Sequence, residues 1–553
     1  CNQIMCVNNI LGVAEAFTLA RALGADPAKV LEAVKDGAAR SWSLEVLGPK
    51  MLAGDDSPGF YIRHMQKDLR IVLEAGRDSN TPLPGTALIH ELYKAVQARG
   101  GDECGNHCLH RALEVLRGNE WKSEAPIPVA GFNLGDYVSG RVETDTWKID
   151  LYANQLLEQA VLDRFNKPVV EGPVRLRSGV PLPPRIIWPD PPPSPAALMS
   201  SIGERLAEAI RFNEKRMGPF PFERLAVAQI PGSFGQGWPG LLYLSTLSFL
   251  TPTDQRRAGI GRRTQDQFSE LVPIHELAHQ WWGNVVGWGS YRDQWIQEGL
   301  ANYLALMFAE SRQPGELAAR LENYRSDLTS REGSGETPDE IGPLALGYRL
   351  RSSKSPGGYA LVVYPKAAWA FHMLRMMLRQ SGAPPVAKKA GATKRPELSR
   401  EPDERFEKLL QALLANYRHR ALTTADLQRE IEKVMTPEMD LEGSKKTPRR
   451  PGAMDWFFDQ WVRGTGIPKY TVEFNVKPAG EKFIVRGKLK QSGVPVSFIA
   501  PVPIYEPRAA GGKPVLLGTV VTNGEETPFQ FTVRTAPKKL LIDPNLTLLC
   551  LTE

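Results

Sequence analysis

Cysteine is scarce in this chain of 553 residues, and its number is odd. Five cysteines argue against a disulfide framework, which needs an even and denser set; they are Cys1, Cys6, Cys104, Cys108 and Cys550. The segment Cys104-Gly-Asn-His107-Cys108-Leu-His110 has the composition of a metal site, but no second ligand pair follows it at a defined distance. We therefore predict that these thiols and imidazoles lie at the start of a surface helix.

Long apolar runs and a strong net charge are also absent. No uninterrupted run of about 18 apolar residues occurs, so no transmembrane helix is predicted. The net charge of +6 is small for this length, and no basic face with interleaved aromatic residues is present, so a nucleic-acid partner is not expected. The chain begins with Cys1 and has no charged segment leading into an apolar stretch. We expect a truncated N-terminus, and the sequence assigns no cellular compartment.

The chain is too long for one hydrophobic core, and its pattern of apolar and polar residues changes along its length. The first stretch has apolar residues at helical spacing, and Asp26-Pro27 is predicted to begin a helix there. The last stretch alternates as strands do. The predicted fold is multidomain and mainly α. It comprises a helical domain, a short β remnant with a proline-rich connector at 181–195, an α-rich domain and a C-terminal β-sandwich. Their predicted boundaries are 1–116, 117–196, 197–465 and 466–553, with polar insertions near 382–403 and 436–452.

The central motif is His275-Glu276-Leu277-Ala278-His279, in a stretch that the apolar spacing predicts to be helical as far as Trp282. Positions four apart lie on one face of a helix, so His275 and His279 can bind one tetrahedral metal ion. Glu276 lies one step round the helix, too close in sequence to be a third ligand. Its carboxylate can instead take a proton from an activated water and pass it to a leaving amine.

A third ligand follows on a second predicted helix. Glu298 lies in Trp295-Ile-Gln-Glu298-Gly-Leu-Ala-Asn-Tyr303 and completes a His-x18-Glu spacing with His279. An HExxH segment alone arises often by chance, but together with a glutamate at this distance it indicates a metal site. The other interpretation is a buried helix with two incidental histidines. It is weaker because the whole chain has only eight histidines.

These residues resemble the aminopeptidase N family of gluzincin metallopeptidases, which has the same His-x18-Glu spacing. Val363-Tyr364-Pro-Lys366 is similar to that family's tyrosine segment, V-Y-x-K-G-A. The resemblance extends over about residues 127–553. It implies a thermolysin-like catalytic domain, peptide substrates, Zn²⁺ held by His275, His279 and Glu298, Glu276 as the base, and Tyr364 as the phenol that stabilises the oxyanion. From the residues alone, we would interpret Tyr364 as a core aromatic on a helix.

One part of the family pattern is missing. Those aminopeptidases recognise the free amine of a substrate with a glutamate in a G-x-M-E-N segment, a few dozen residues before HExxH. The corresponding stretch here is Phe234-Gly-Gln-Gly-Trp-Pro-Gly-Leu241, and the glutamate position falls on Gly237 or its neighbours. The family's N-terminal β-domain, which supplies a second amine ligand, is reduced to strands near 130–153. The sequence therefore predicts a peptidase but leaves exopeptidase or endopeptidase action open.

Residues 1–116 resemble a different family, the C-terminal helical domain of 3-hydroxyisobutyrate dehydrogenases. The matching segments include Cys1-Asn2-Gln3-Ile4 and Met65-Gln-Lys67-Asp68-Leu69. The resemblance implies that Asn2 lies on the substrate side, that Lys67 lies near the cofactor, and that the domain can form a dimer. NAD(P) is implied only as an ancestral cofactor. We find no G-x-G-x-x-G segment after a predicted strand, and the family's catalytic lysine would precede Cys1.

Two alternatives to a peptidase stay open. One is a fragment of an NAD(P)-dependent 3-hydroxyacid dehydrogenase that lacks its Rossmann half and catalytic lysine. The other is a non-catalytic chimera. The two matches are both truncated near residues 115–125, which is compatible with a natural fusion and, in our interpretation, favours a joining of unrelated fragments.

Overall fold

The computed structural model describes residues 1–118, 127, 129, 131–133, 135, 137–165, 169–171, 185–187, 190–331, 335–353, 355–379, 403–435, 453–508 and 512–553. The chain forms two compact units that separate between residues 123 and 137. We call them the helical unit (described residues 1–118) and the large unit (described residues from 137 onward). The predicted polar insertions lie outside the described residues, except for Asp403.

The helical unit consists of six described helices, and its sequence signals are local ones. Gly24 takes a positive φ just after the first helix ends. Asp26 then accepts a hydrogen bond from the Ala28 N–H and, with Pro27, begins the second helix as predicted. The helices are α1 (Asn2–Ala22), α2 (Pro27–Val34), α3 (Gly48–Ala53), α4 (Ile62–Asp78), α5 (Pro84–Gln97) and α6 (His110–Gly118).

Helix α1 bears on the prediction that no helix spans a membrane. Within the described residues, α1 is the one helix long and apolar enough to cross a membrane by length and composition alone. The prediction rested on the absence of an uninterrupted apolar run, whereas in α1 single polar residues interrupt the run without lowering its mean hydropathy enough to exclude the helix. The test is weak evidence for a membrane span, since core helices also pass it. Val7, Ile10 and Phe17 of α1 are buried in the core of the helical unit.

A five-stranded sheet lies in the large unit, with strand order β1-β2-β5-β7-β6. Strands β1 and β2 pair antiparallel, β2, β5 and β7 run parallel, and β6 returns antiparallel to β7. The predicted β remnant therefore forms no layer of its own, because β1 and β2 extend this sheet. The strands are β1 (Val138–Glu143), β2 (Lys148–Ala153), β5 (Arg224–Ile230), β6 (Gln236–Trp238) and β7 (Leu241–Ser245).

Helices make up most of the rest of the large unit. The apolar face of α8 packs on β1 and β2. The helices are α7 (Gln159–Phe165), α8 (Met199–Met217), α9 (Pro252–Arg257), α10 (Arg262–Asp266), α11 (Val272–Ala278), α12 (Gln294–Arg312), α13 (Glu316–Thr329), α14 (Pro338–Ile341), α15 (Gly358–Arg379), α16 (Glu404–Tyr417), α17 (Thr424–Val434) and α18 (Asp455–Phe457).

Short strand pairs and two C-terminal sheets complete the large unit. The predicted proline-rich connector contains a strand, β4 (Arg185–Ile187), which pairs with β3 (Val169–Glu171). Strand β8 (Val286–Trp288) pairs with β9 (Arg420–Leu422). The C-terminal strands form sheets of order β14-β11-β10-β16 and β13-β12-β15. They are β10 (Lys469–Ala479), β11 (Lys482–Ser492), β12 (Pro501–Glu506), β13 (Val515–Val521), β14 (Glu526–Val533), β15 (Leu541–Ile542) and β16 (Leu551–Thr552). The coarse prediction, a multidomain and mainly helical chain, is confirmed.

A buried hydrogen-bond chain ties α15 to the C-terminal segment. The Tyr303 hydroxyl lies 2.9 Å from His372 Nδ1, and His372 Nε2 lies 2.8 Å from the Leu546 carbonyl oxygen. This arrangement fits a neutral imidazole that accepts from Tyr303 and donates to Leu546. Arg375 donates to the Tyr303 hydroxyl and forms a two-point ion pair with Asp403. Burial, with two neighbouring arginines, lowers the pKa of His372 to about 3.

His372 should make the stability of the large unit depend on pH. Its pKa is about 3 in the folded chain and about 6.5 in an unfolded chain. Between these values only the unfolded chain binds the proton, so stability falls as the pH decreases through this window. Between pH 7 and 5, the free energy of unfolding should fall by about 2 kcal/mol more in the wild type than in His372→Gln.

Urea unfolding followed by tryptophan fluorescence measures this difference, because Trp295 and Trp369 are buried in the same unit. Equal pH dependence of the two proteins would contradict the lowered pKa of folded His372.

Candidate metal centre

The HExxH segment forms the short helix α11, which is buried on all sides from Pro273 to Ala278. His279 caps its C-terminus, and the chain then turns, with Gly283 at a positive φ. The predicted continuation to Trp282 is therefore wrong, although the two histidines keep their helical spacing. Their Nε2 atoms lie 3.0 Å apart. Both imidazoles consequently present a nitrogen to the same point.

Helix α12 brings the predicted third ligand to this point. Glu298 Oε2 lies 3.3 Å from His275 Nε2 and 3.5 Å from His279 Nε2. A tetrahedral zinc ion at about 2.0–2.1 Å from its ligands would separate neighbouring ligand atoms by roughly 3.3 Å. The three atoms, which we call the ligand triangle, therefore have a spacing that fits zinc. The donor set of two imidazoles and one carboxylate fits it as well.

The orientation of His279 is held by a backbone group. Its Nδ1 lies 2.8 Å from the Trp282 carbonyl oxygen. A carbonyl can only accept, so Nδ1 carries the hydrogen and Nε2 keeps its lone pair for a metal ion. The tight turn after α11 supplies this carbonyl, three residues beyond His279. The sequence does not predict this contact, because its acceptor is a backbone carbonyl and not a side chain.

Glu298 is a buried carboxylate that needs a cation. Its Oε2 atom has no solvent contact and faces the Nε2 atoms of both histidines. Burial alone would raise the pKa of Glu298, but the neighbouring histidines lower it overall. Burial opposes protonation of His279, yet Glu298 raises the pKa of His279 to about 9. The ligand triangle therefore attracts positive charge, which a proton or a metal ion can supply.

Tyr364 is brought to the ligand triangle by close packing of α12 and α15. Gly299 follows Glu298, and a Cβ atom there would lie 2.6 Å from Ala367 Cβ. This contact lets α15 approach closely enough for the Tyr364 ring centroid to lie 5.5 Å from that of His275. Burial, followed by the negative charge of Glu298, raises the pKa of Tyr364 above its usual value. Its phenol therefore keeps its proton and is a hydrogen-bond donor.

Helix α15 is anchored directly beside Tyr364. The Lys366 ammonium lies 2.6 Å from Asp339 Oδ1 and donates to the Gly464 carbonyl at 3.1 Å. Both charged side chains are almost fully buried. On the other side, Asn302 of α12 donates to the Tyr364 carbonyl at 3.0 Å. Tyr364 is thus fixed by neighbours on three segments, which a solvent-facing residue would not need.

Glu276 lies against strand β6 and the residue before it, where glycines face α11. A Cβ atom on Gly235 would lie 2.7 Å from Glu276 Oε1, and one on Gly237 would lie 2.4 Å from the Glu276 carbonyl oxygen. Burial raises the pKa of Glu276 from its usual value. A cavity of about 560 Å³ opens beside these groups, and its lining includes Phe234, Gly235, His275, Glu276, Arg320 and Tyr364.

Apart from Glu276, the described residues that line the cavity include no unpaired carboxylate. Besides Glu276, the acidic residue in the lining is Asp327, which pairs with Arg263. At Gly237, where the sequence comparison places the missing amine-binding glutamate, α11 leaves no room for a side chain. The departure from the family pattern at this position is thus built into the packing of β6 on α11.

The same segment corrects a sequence expectation. Gly235, Gly237 and Gly240 have the G-x-G-x-x-G spacing, five residues beyond β5. A dinucleotide-binding loop leads from a strand into a helix, so that a phosphate meets the helix N-terminus. Here the glycines lie in β6 and the turn to β7, an antiparallel hairpin. The spacing therefore serves close packing on α11, and no helix N-terminus follows it.

Comparison with known proteins assigns the two parts of the chain separately. Residues 214–383, which contain the whole ligand triangle, match the family model described as the peptidase family M1 domain. Residues 1–113 match the model described as the NAD-binding domain of NADP-dependent 3-hydroxyisobutyrate dehydrogenase. The chain joins parts of two protein families. Both resemblances drawn from the sequence are confirmed, and the M1 match supports a peptidase.

Curated relatives match the dehydrogenase-type part. An uncharacterized oxidoreductase of Synechocystis is 43% identical over 112 residues, which are 20% of this chain and 38% of the relative. The 2-hydroxy-3-oxopropionate reductase of Escherichia coli is 39% identical over 115 residues, 21% of this chain and 39% of the relative. A probable 3-hydroxyisobutyrate dehydrogenase of Arabidopsis thaliana is 40% identical, over 21% of this chain and 34% of the relative. The chain spans less than two-fifths of these relatives.

Among solved structures, aminopeptidase A of Legionella pneumophila in complex with aspartic acid is similar with a TM-score of 0.47 and 16% identity. The similarity covers 76% of this chain and 38% of that protein.

The residues predicted for the dehydrogenase-type part lie on its surface. Asn2 is exposed and donates to Gln3, and Gln3 in turn donates to Asp68 at 2.7 Å. Lys67 is exposed and pairs with Asp68 at 3.1 Å. The structure thus places Asn2 and Lys67 on neighbouring helices, α1 and α4, but shows no direct contact between their side chains.

Another residue of the M1-type part was missed by sequence analysis. The hydroxyl of Tyr359 is shielded from solvent, and its ring lies 5.9 Å from that of Tyr364. Burial and the charge of Glu298 raise the pKa of Tyr359. The sequence pattern did not indicate Tyr359, because residues five apart do not lie on the same face of a helix as Tyr364.

Gly237→Ala should disrupt the packing of β6 on α11. The added methyl would meet the Glu276 carbonyl oxygen at 2.4 Å, so the strand must move, at a cost of about 1–3 kcal/mol in unfolding free energy. Weaker zinc binding should accompany this loss. Gly287→Ala in β8 is the matched control, since its methyl would meet Arg420 O at 3.9 Å. Urea unfolding and zinc competition titration compare the two, and equal behaviour would contradict the close approach.

Proposed function

We propose that the large unit hydrolyses peptide bonds with a zinc ion held by His275, His279 and Glu298. The observation that carries this proposal is the ligand triangle, whose atoms lie 3.0–3.5 Å apart and include a Glu298 oxygen that is shielded from solvent. The match of this region to peptidase family M1, a zinc-dependent family, supports it. Glu276 and Tyr364 line the same cavity as His275.

When bound, the zinc ion would act as a Lewis acid and lower the pKa of a water molecule. Glu276 takes the proton of the attacking water and delivers it to the leaving amine. Its position one residue after His275 and its burial at the cavity wall support this assignment. A buried carboxylate is a better proton acceptor than an exposed one, because burial disfavours its charged form.

Tyr364 donates a hydrogen bond to the oxyanion that forms when water adds to the peptide carbonyl. The phenol remains protonated beside Glu298, and α15 is held by the Lys366–Asp339 ion pair. A donor that is already oriented stabilises developing charge without reorganisation. This role explains why a hydroxyl is present where an ordinary core position would take phenylalanine.

The substrate need not carry a free N-terminal amine. An ammonium in the cavity would meet no unpaired carboxylate among the described lining residues apart from Glu276, which is required for the reaction. A desolvated ammonium without a partner is strongly disfavoured. We infer that the cleft accepts the acylated amino group of an internal or blocked peptide at least as well as a free terminus.

Hydride transfer is not part of the proposal. The dehydrogenase-type part matches an NAD-binding domain family over residues 1–113, so NAD(P) remains its ancestral cofactor. The glycine motif at Gly235–Gly240 is a hairpin of the large unit and provides no dinucleotide loop.

Glu276→Gln should abolish peptide hydrolysis and leave about one zinc ion per chain at the ligand triangle. Tyr364→Phe should lower kcat by roughly 10²–10³ while zinc stays bound. Tyr359→Phe, which removes the neighbouring buried hydroxyl, is the comparison and should cost less. Steady-state kinetics and metal analysis of each purified chain test this. Loss of zinc in Glu276→Gln would contradict the role of Glu276 as the base. Unimpaired activity of Tyr364→Phe would indicate that Tyr364 is only a core aromatic residue.

Paired peptides test the amine requirement. A fluorogenic peptide and its N-acetylated form should have kcat/KM values within about threefold, since no pairing carboxylate distinguishes them. A site with such a carboxylate would prefer the free amine by roughly 10² or more. A preference of that size here would overturn the inference about blocked peptides without affecting the assignment of Glu276. Loss of both activities in Glu276→Gln shows that the same site cleaves both peptides.

A further inference from the structure

The cysteine segment of the helical unit gains a third ligand from the fold. The sequence shows only Cys104 and Cys108, with no second ligand pair downstream. The structure brings in Asp56 from a distant loop, and its carboxylate and the two thiols have donor atoms within 4.8 Å of one another. Cys108 Sγ lies 3.2 Å from Asp56 Oδ1. Two sulfur atoms and one carboxylate oxygen are thus concentrated at one place.

The backbone holds these two segments in register. The Gly105 N–H donates to the Asp56 carbonyl at 3.0 Å, and the Ile62 N–H donates to the Cys104 carbonyl at 3.0 Å. Gly105 itself has no room for a side chain, because a Cβ atom would lie 2.4 Å from the His107 ring. The backbone thus holds the segments that carry the ligands, and the Cys108 thiol itself donates a hydrogen bond to Asp56 Oδ1.

We propose that Asp56, Cys104 and Cys108 form a second metal site, which takes a thiophilic divalent cation such as Zn²⁺. The site lies wholly within the helical unit and is independent of the ligand triangle in the large unit. Thiolate ligands select soft or borderline cations over Mg²⁺ and Ca²⁺. Zinc accepts sulfur and carboxylate oxygen in one tetrahedral set.

Charge balance at the site supports a divalent ion. Both thiols lose their protons to solvent when the ion binds, so two thiolates and Asp56 contribute three negative charges. The ion contributes two positive charges, and Arg111, which pairs with Asp56 Oδ2, contributes the third. The loaded site is then neutral.

One of the three proposed ligands lies at the wall of a cavity. Cys104 and Arg111 line a cavity of about 540 Å³ on the helical unit, from which water or a small ligand can reach the ion. His107 lies between the two cysteines in sequence, but its Nε2 already lies 2.5 Å from the Asp55 carbonyl oxygen. It stabilises the loop and is not a ligand in this arrangement.

Cobalt substitution tests the site directly in the full chain. Metal-free protein, kept reduced, is titrated with Co²⁺, and the near-ultraviolet thiolate-to-cobalt absorption is recorded. The ligand triangle has no sulfur, so this band reports only on a thiolate site. We expect the band in the wild type and about two ions bound per chain. Absence of the band at saturating Co²⁺ would overturn the proposal without any variant.

Three variants locate the site. Cys104→Ser and Cys108→Ser should each abolish or strongly weaken the band and reduce binding to about one ion per chain, while peptide hydrolysis remains. Cys6→Ser, which removes a half-buried thiol of the same unit, is the matched control and should retain the band. Loss of the band in Cys6→Ser but not in Cys104→Ser would place the thiolate site elsewhere and refute this assignment.

Discussion

The large unit is organised around a buried negative charge. Glu298 lies on α12, its Oε2 atom is shielded from solvent, and a negative charge in this setting requires a positive partner. Two imidazoles of α11 face it, and the phenol of α15 lies beside them. Three helices must therefore meet within a few ångströms. Gly299 makes this approach sterically feasible, since any side chain there would collide with α15.

Glycine acts in the same way on the other side of the site. Gly235 and Gly237 allow β6 to lie directly on α11, which closes the cavity over Glu276. The same contact removes the place where an amine-binding carboxylate would stand. One packing arrangement thus shapes the cavity and leaves no room for a side chain at Gly237.

The C-terminal part of the chain supports α15, the helix that carries Tyr364. Lys366 reaches Gly464 and Asp339, and His372 reaches Leu546. Both side chains project from α15, the helix that carries Tyr364, toward segments that precede or follow the C-terminal strands. Removal of this support would leave the buried Lys366 ammonium and the buried His372 imidazole each with one hydrogen-bond partner fewer. The C-terminal sheets are therefore structurally linked to the position of the phenol, although they contribute no ligand.

The sequence by itself determined whatever depends on local spacing. The interval between His275 and His279 places two imidazoles on one helical face, the following glutamate at Glu298 fits a third ligand, and Asp26 with Pro27 correctly predicted the start of α2. Such features depend on neighbours a few residues away. The prediction of a helix as far as Trp282 was wrong because a tight turn ends α11 at Ala278.

Tertiary structure alone decided which distant groups meet. Tyr364 has the pattern of a core aromatic, and only the packing of α15 on α12 brings it beside His275. The glycine spacing at Gly235–Gly240 is that of a nucleotide loop, and only its place in a hairpin shows otherwise. Asp56 lies far in sequence from Cys104, yet backbone pairing joins them. These contacts depend on how separate elements pack, which no local pattern of residues encodes.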